Sequence, residues 1–302
     1  MYTQNVIIRM RGGLGNQLFQ LAYGLYLKEK YGIKNIILDI GEYDYYHVRD
    51  FELGNFHLND SKINISEVIP SYKYRLTRKL YHILQGLKRR LSSRELDIFS
   101  LLTKFGLFYA GITPGKILYN DNQKDIYVYG YFQDVQYANA VKKEILSIVN
   151  IKDKMRLDYL SKKIHMDQYI AVSVRCGKDY QQAGYHICSG AYYKRGINYI
   201  MNCFPHIHMH IMVFTDDIVV AKKIIHLEHY DVQFVENATP VQQLLLMMDC
   251  DHFVISNSSF SWWGAYLSAN DNKIVVSPEH WFPSPLIDTK STNLMYRNMV
   301  IM

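Results

Sequence analysis

The stretch from Ser256 to Gly264, Ser-Asn-Ser-Ser-Phe-Ser-Trp-Trp-Gly, has the residue types of an anion-binding turn. An apolar run, 253–255, precedes it and a short apolar segment follows it, which predicts a strand, a hydroxyl-rich turn and a helix. Such a turn offers N–H groups, hydroxyls and the positive end of the helix dipole to a diphosphate. Because Ser and Asn are also favoured as plain helix N-caps, the turn alone leaves both interpretations open.

A glycine-rich turn near the N-terminus is a second candidate. Residues 6–8 predict a short buried strand, and apolar residues at helical spacing predict a helix that continues through Lys30. Gly13 and Gly15 between them let the backbone approach a ligand, and Asp39 ends the next apolar run. This spacing resembles a dinucleotide-binding fingerprint with Leu18 in place of its third glycine. A Rossmann-type oxidoreductase therefore stays open as an alternative.

The third candidate is a loop in the middle of the chain. Residues 169–174 predict a buried strand, which ends in Arg175-Cys176-Gly177-Lys178-Asp179. An arginine just past a strand end suits bidentate recognition of phosphate oxygens. The alternative is a surface turn in which Arg175 pairs with Asp179.

Strands and helices alternate in the second half of the chain. The predicted strands are 169–174, 211–214, 232–235, 253–255 and 274–276, and the predicted helices are 191–201, 217–225, 240–248 and the segment after Phe260. The helix at 217–225 has Asp216 near its cap, and the helix at 240–248 has Thr239 as its cap. This alternation predicts a parallel sheet, with Arg175, Asp216 and Asn257 beyond the carboxyl ends of its strands.

Together, the motifs resemble the bacterial α-1,2-fucosyltransferases of glycosyltransferase family 11. The resemblance rests on five stretches in family order: Gly-Gly-Leu-Gly-Asn-Gln-Leu-Phe-Gln at 12–20, Gly-Tyr-Phe-Gln at 130–133, Arg175-x-Gly177 with Asp179-Tyr180, Phe-Thr-Asp-Asp at 214–217, and 257–264. Two departures stand out: Ser173 and Cys176 replace a histidine and an arginine of the family loop, and Lys178 is inserted before Asp179.

The resemblance implies an α/β protein of GT-B-like fold, with two Rossmann-like domains facing a cleft. We expect an acceptor-side domain at 1–155 and a nucleotide-sugar-binding domain at 156–302. The implied reaction transfers L-fucose from GDP-fucose to the 2-hydroxyl of a terminal β-galactoside, with inversion at the anomeric carbon. The alternatives are the oxidoreductase and a non-catalytic nucleotide-sugar-binding protein.

Site residues follow from the resemblance and from the chemistry of the reaction. Arg175 is expected to stabilise the departing diphosphate, and Asp216 or Asp217 is expected to accept hydrogen bonds from guanine unless it only caps a helix. Asp179 is the nominal general base, although the Lys178 insertion displaces it; His186 and Glu52 are alternatives. The full expected donor-binding set is Gly13, Gly15, Asn16, Gln17, Ser173, Asp216, Asp217, Asn257, Ser258, Ser259 and Phe260.

No metal or other cofactor is expected in this reaction. Asp249-Cys250-Asp251 has the Asp-x-Asp form that holds a divalent cation in glycosyltransferases of another fold, but the motif has no such role in the family that this chain resembles. His206, His208 and His210 alternate, so a strand would turn all three to one face and permit zinc. A polar strand face is the preferred interpretation of the three histidines.

A basic block spans residues 71–94, with eight Lys or Arg and no Asp or Glu. Its apolar residues recur at helical spacing, which predicts a basic amphipathic helix. Such a helix either lies on an anionic membrane face, which suits a lipid-linked acceptor, or packs one face on its own domain. The net charge of +6 is modest and no nucleic-acid motif accompanies it, so a nucleic-acid partner is not expected.

The remaining features predict a cytoplasmic protein, peripheral at the membrane if the basic helix binds there. Neither a signal peptide nor an apolar stretch of membrane-spanning length is expected. The four cysteines show no metal-ligand pairing, which is typical of free thiols in a reducing compartment.

Overall fold

The computed structural model describes residues 5–44, 47–58, 63–67, 72–91, 98, 102, 107–109, 125–163, 167–182, 184, 187–227, 229–281 and 294–302. The chain divides into two compact units, Met1–Ile148 and Val149–Met302. The sequence predicts the boundary after residue 155, inside the helix at Lys154–Lys162, and the roles expected of the two domains stay predictions.

The first unit contains a five-stranded parallel sheet with the order β3-β2-β1-β5-β4. The strands are β1 (Asn5–Arg9), β2 (Asn35–Asp39), β3 (Ile63–Ser66), β4 (Leu107–Tyr109) and β5 (Asp125–Tyr129). The helices are α1 (Leu14–Tyr31), a 3₁₀ turn at Leu53–Asn55, α2 (Tyr72–Leu91), α3 (Val135–Ala140) and α4 (Lys142–Val149), whose last residue already belongs to the second unit.

The second unit contains a six-stranded parallel sheet with the order β11-β10-β9-β6-β7-β8. The strands are β6 (Gln168–Val174), β7 (Met209–Thr215), β8 (Val232–Phe234), β9 (His252–Val254), β10 (Val275–Ser277) and β11 (Met299–Ile301). The helices are α5 (Lys154–Lys162), α6 (Lys178–Gln182), α7 (Gly190–Cys203), α8 (Ile218–Ile224), α9 (Pro240–Met248) and α10 (Ser259–Leu267).

The central strands of this second sheet are apolar because both of its faces are covered. Ile170 and Val172 of β6 pack with Tyr193 and Ile197 of α7. On strand β7, Met212 is as buried as its neighbours, as expected for a parallel sheet enclosed by helices.

The α/β class and the parallel sheets predicted from the alternating pattern are confirmed. Helix α9 has the predicted Thr239 cap with Pro240 in its first turn, and Gln242 completes a capping box. The cap of α8 is Asp217 rather than the predicted Asp216. Strands β3 and β4 lie in a stretch where the sequence predicts little regular structure, because both are short and the sheet supplies their pairing partners.

Candidate functional site

The carboxyl ends of β7, β6 and β9 lie side by side in the second unit, since these strands are neighbours in one parallel sheet. Arg175 follows β6, Asp216 follows β7 and Asn257 follows β9. The Nη1 atom of Arg175 lies 2.5 Å from Oδ2 of Asp216. The side chains are 22% and 19% exposed, so this ion pair is partly open to solvent.

Asp216 organises the loop that follows β6. Its Oδ1 accepts hydrogen bonds from the backbone N–H groups of Cys176, at 2.8 Å, and Gly177, at 2.9 Å. Its Oδ2 binds Arg175, so both carboxylate oxygens already have partners inside the unit. In this structure Asp216 holds Arg175 and its loop, and its expected role in binding guanine stays a prediction.

Asp217 caps helix α8 through a hydrogen bond that Oδ1 accepts from the N–H of Val220, at 3.0 Å. A carboxylate at this position satisfies one of the N–H groups that a helix start leaves without an intrahelical partner. The geometry is that of the capping alternative considered for this residue.

Tyr180 links Arg175 to the turn that precedes α10. The guanidinium carbon of Arg175 lies 5.2 Å from the centre of the Tyr180 ring, within the range of a cation–π contact. The Tyr180 hydroxyl donates to the carbonyl of Asn257, at 2.6 Å. The sequence places Tyr180 in a motif but does not indicate its role. A single sequence carries no signal that separates this tyrosine from the 25 others.

The turn itself is anchored from inside the unit. Ser173 lies 3.4 Å from Ser256 between their hydroxyl oxygens, and the amide of Asn257 donates to the carbonyl of Trp281, at 3.0 Å. Ser173 and Asn257 are both buried. These two residues, expected to bind the donor, have their described contacts within the protein, which gives them a role in shaping the turn.

The start of α10 presents the remaining predicted residues. Ser258 is the N-cap, and its hydroxyl makes no capping hydrogen bond. Ser259 and Phe260 form the first turn of the helix, where backbone N–H groups have no intrahelical acceptor. Trp262 and Trp263 are fully buried, and Trp262 donates to the carbonyl of Leu294, so the tryptophan pair anchors the helix in the core.

Tyr192 is a second residue that sequence reasoning missed. Its hydroxyl donates to the carbonyls of Ile255, at 2.6 Å, and Val276, at 3.2 Å, at the carboxyl ends of two neighbouring strands.

Nearby, burial raises the pKa of the Cys188 thiol to about 11, so this cysteine is protonated and inert at neutral pH.

Asp179 lies in the short helix α6, but its side chain falls outside the described residues, as does the whole of His186. Glu52, the third candidate base, lies in the first unit beside the 3₁₀ turn. Burial raises the pKa of Glu52, partly offset by a hydrogen bond from Asn55. The described residues do not identify the general base, and Asp179 stays the predicted candidate.

The glycine loop of the first unit is fixed by Gln17. Its amide nitrogen donates to the carbonyls of Gly12 and Asp50, and its amide oxygen accepts from the N–H groups of Glu52 and Leu53. The side chain is fully buried, so it ties the loop to residues 50–53 instead of facing the donor as predicted.

Asn16 lies next to the segment at residues 130–133. The amide of Gln133 donates to the side-chain oxygen of Asn16, at 2.9 Å, because β1 and β5 are neighbours and the segments after them meet. Phe132 has φ of +50°, unusual for a bulky residue, and stacks on Tyr23 with ring centres 4.0 Å apart. Gly13 is the N-cap of α1 and Gly15 lies in its first turn, so the predicted loop residues come together in this unit.

Asp39 does not offer a carboxylate to a nucleotide ribose. Its Oδ2 lies 3.1 Å from Nη1 of Arg9, which also binds Glu42, and these three side chains are buried. The aspartate of the dinucleotide-binding pattern is therefore part of an internal ion-pair network in this protein.

The Asp-x-Asp motif is also engaged with basic side chains. Asp249 binds Arg156 through two hydrogen bonds of 2.6 and 2.8 Å, and Asp251 binds Lys163 and the N–H of Tyr169. Both carboxylates lie at the amino end of β9, opposite the end that carries Asn257. Because both carboxylates pair with basic side chains, Asp249 and Asp251 are structural ion-pair residues in this protein.

Among the described residues, Asp167, His208 and His210 form a group whose geometry could hold a metal ion. Only His210 lies in a strand, whereas His206 is in the preceding turn, so the predicted alternation of three histidines on one strand face is wrong. The imidazole of His210 bridges Asp167 and Asp231, at 2.7 and 2.5 Å, which explains the group as a polar link at the amino ends of β6, β7 and β8.

Comparison with known structures places the fold. The crystal structure of fucosyltransferase NodZ from Bradyrhizobium matches with a TM-score of 0.57 and 15% identity, covering 87% of this chain and 92% of that one. The apo form of POFUT1 matches with a TM-score of 0.51 and 9% identity, covering 94% of this chain and 99% of that one. The α/β fold with parallel sheets is that of the GT-B glycosyltransferases, as the sequence predicts.

Comparison with known sequences places the family. The model of "Glycosyl transferase family 11" matches residues 5–298, and this chain belongs to that family. The alpha-1,2-colitosyltransferase of Escherichia coli is 29% identical over 92% of both chains. The O-antigen biosynthesis glycosyltransferase WbnK, also of Escherichia coli, is 26% identical over 90% of this chain and 93% of its own. The protein is a glycosyltransferase, which removes the oxidoreductase alternative.

Proposed function

We propose that this glycosyltransferase moves L-fucose from GDP-fucose to the 2-hydroxyl of a terminal β-galactoside. The observation that carries the proposal is Arg175, held at the carboxyl end of β6 by Asp216 and linked through Tyr180 to the turn before α10. A cation beside a helix N-terminus is the arrangement that a departing diphosphate needs. NodZ structures with GDP and with GDP-fucose share the fold, which agrees with this donor.

The chemistry is a displacement with inversion. The bond between the anomeric carbon of fucose and the β-phosphate oxygen breaks while the galactose 2-oxygen bonds to that carbon, and the hydroxyl proton passes to a base. In our proposal Arg175 and the N–H groups at the start of α10 stabilise the diphosphate, and Ser258 adds a hydroxyl donor. Asp179 is the proposed base. The protein's own donors meet the need for positive charge, so we propose a reaction without a metal.

A closely related donor is the second candidate. The relative that is 29% identical to this chain is named for the transfer of colitose, a different sugar from L-fucose. The diphosphate site proposed here serves both donors equally, because the difference lies on the sugar ring. Competition between GDP-fucose and GDP-colitose at equal concentration, with both products quantified by mass spectrometry, decides between them.

The decisive experiment is an assay of the purified protein with GDP-fucose and lactose, with the product linkage read by NMR. We expect an α-1,2 linkage. Arg175→Ala should lower kcat/KM by roughly 10²–10³-fold, the usual loss for one charged donor to a developing anion. Arg195→Ala, on the exposed side of α7, is the matched control and should retain wild-type activity. Wild-type turnover by the Arg175 variant would refute its assignment.

We further propose that the second unit binds the nucleotide and the first unit binds the acceptor, a glycan in surface-polysaccharide synthesis. The role of WbnK in O-antigen biosynthesis supports this class of acceptor. The four cysteines are free, which suits a cytoplasmic location because cysteines stay reduced there. An acceptor of this class is proposed to be lipid-linked, which would bring the enzyme to the inner membrane face.

A further inference from the structure

Helix α2 exposes a continuous apolar stripe to solvent. Its members are spaced four, four, three and four residues apart, and they are Tyr72, Leu76, Leu80, Ile83 and Leu87, exposed by 79, 45, 43, 58 and 46%. At about 100° per residue, these five positions fall within an arc of about 80° on the helix surface. Five exposed apolar side chains in one stripe form a surface, whereas scattered ones need no explanation.

The stripe does not face the core of the first unit. A different face of α2 carries Tyr81 and Leu84, which pack against buried Ile98 and Leu102. These contacts hold the helix on its unit with the stripe turned away. One apolar face of α2 therefore packs inward, as one of the two interpretations of the sequence expects, and a second apolar face remains exposed.

The charge of the helix selects the kind of partner. Seven Lys or Arg and no Asp or Glu lie within Tyr72–Leu91. Arg75 and Lys79 are exposed and occupy helix positions directly beside the stripe. A surface that is both basic and apolar matches an anionic lipid bilayer, which offers acyl chains to the stripe and phosphates to the flanking cations. A second copy of this chain fits poorly, since two such helices would bring like charges together.

We propose that α2 lies flat on an anionic membrane surface, with the stripe inserted at the level of the headgroups. In the part of the chain that the structure describes, no helix is long and apolar enough to cross a membrane. A helix with one apolar stripe and flanking cations lies in the plane of the interface, because only that orientation places the whole stripe among the acyl chains. This inference deepens the lipid-linked acceptor of the proposed function, but its geometry is independent of the donor site.

Sedimentation with lipid vesicles tests the proposal. We expect the full-length protein to bind vesicles of phosphatidylcholine with 30% phosphatidylglycerol and not vesicles of phosphatidylcholine alone, and to release as salt is raised, because the cations are screened. Leu76→Ser with Ile83→Ser should weaken binding by about tenfold or more, since it removes apolar area from the stripe. Arg75→Gln with Lys79→Gln should weaken binding and its salt dependence.

Val219→Ser is the matched control, because Val219 is an exposed apolar residue, 67% exposed, on α8 of the second unit. It should leave vesicle binding unchanged. Circular dichroism establishes that each variant folds, and activity on soluble lactose should stay at the wild-type level in the stripe variant. Equal vesicle binding by wild type and stripe variant overturns the proposal, as does a stripe-dependent dimer in analytical ultracentrifugation without vesicle binding. Absence of transfer to lactose by the wild-type protein, with its vesicle binding intact and dependent on the stripe, would instead count against the proposed function.

Discussion

At the scale of single residues, the role of each aspartate in the second unit depends on the hydrogen-bond partners within its reach. Asp216 and Asp217 are adjacent and chemically identical, yet one holds Arg175 and two backbone N–H groups while the other caps α8. The sequence identified both as candidates and could not separate them, because the choice depends on the strand register and on the loop after β6.

Replacing Asp216 by Asn tests its role in positioning Arg175. The variant keeps an oxygen for the N–H groups of Cys176 and Gly177 but loses the charge that fixes the guanidinium. On the proposed function, kcat should fall by about tenfold to a hundredfold, as expected when a catalytic group is misplaced. The KM for GDP-fucose should change much less, and steady-state kinetics measure both.

Asp217→Asn is the control for this variant, since Asn caps helices about as well as Asp and this residue does not bind Arg175. It should behave like the wild type. If Asp216→Asn turns over at the wild-type rate, or if both variants lose activity equally, Asp216 does not position Arg175.

At the scale of elements, the two ends of the parallel strands carry different kinds of residue: candidate site residues at the carboxyl ends and structural residues at the amino ends. The carboxyl ends of β6, β7 and β9 carry Arg175, Asp216 and Asn257, as the alternating pattern predicts. The amino ends carry structural groups, such as His252 at the start of β9. Its Nε2 lies 2.8 Å from Oε1 of Gln168, and its Nδ1 accepts from the N–H of Ile274, at 3.0 Å.

This arrangement requires a neutral His252 and makes the fold sensitive to acid. Burial lowers the pKa of His252 to about 4, whereas an unfolded chain binds that proton near pH 6.5. Between these values the unfolded state holds more protons than the folded state. The contribution of neutral His252 to the free energy of unfolding is therefore complete above pH 6.5. It is lost as the pH falls toward 4, by up to about 1.4 kcal/mol per pH unit.

Urea unfolding at pH 6.5 and pH 5 measures this loss. His252→Leu should be less stable than the wild type at pH 6.5, because the N–H of Ile274 loses its acceptor, but it should lose less stability between the two pH values. Exposed His206 supplies the control, and His206→Leu should keep the wild-type pH dependence. An unchanged dependence in the His252 variant would show that another group dominates acid unfolding.

At the scale of the whole molecule, the chain is built from two α/β units, each with its own parallel sheet. We propose that they divide the work, with the nucleotide bound by the second unit. Hydrogen exchange followed by mass spectrometry, with and without saturating GDP, tests this division.

We expect GDP to protect amides at residues 175–177 and 258–261, because these loops carry Arg175 and the start of α10. The first unit should show little protection when GDP is bound without acceptor. Protection concentrated at residues 12–17 instead would indicate that GDP binds the glycine loop of the first unit, which would contradict the proposed division.

The sequence alone determined the family, the α/β class and the positions of the candidate residues at strand ends. These depend on local patterns: apolar runs, hydroxyl-rich turns, glycine turns and their order along the chain. Only the tertiary structure showed that Gln17, Ser173 and Asn257 work inside their units, that Tyr180 links Arg175 to the α10 turn, and that α2 keeps an apolar stripe outside. The reason is physical: which partner satisfies a polar group, and which face of a helix is covered, depend on residues far away in sequence that the fold brings together.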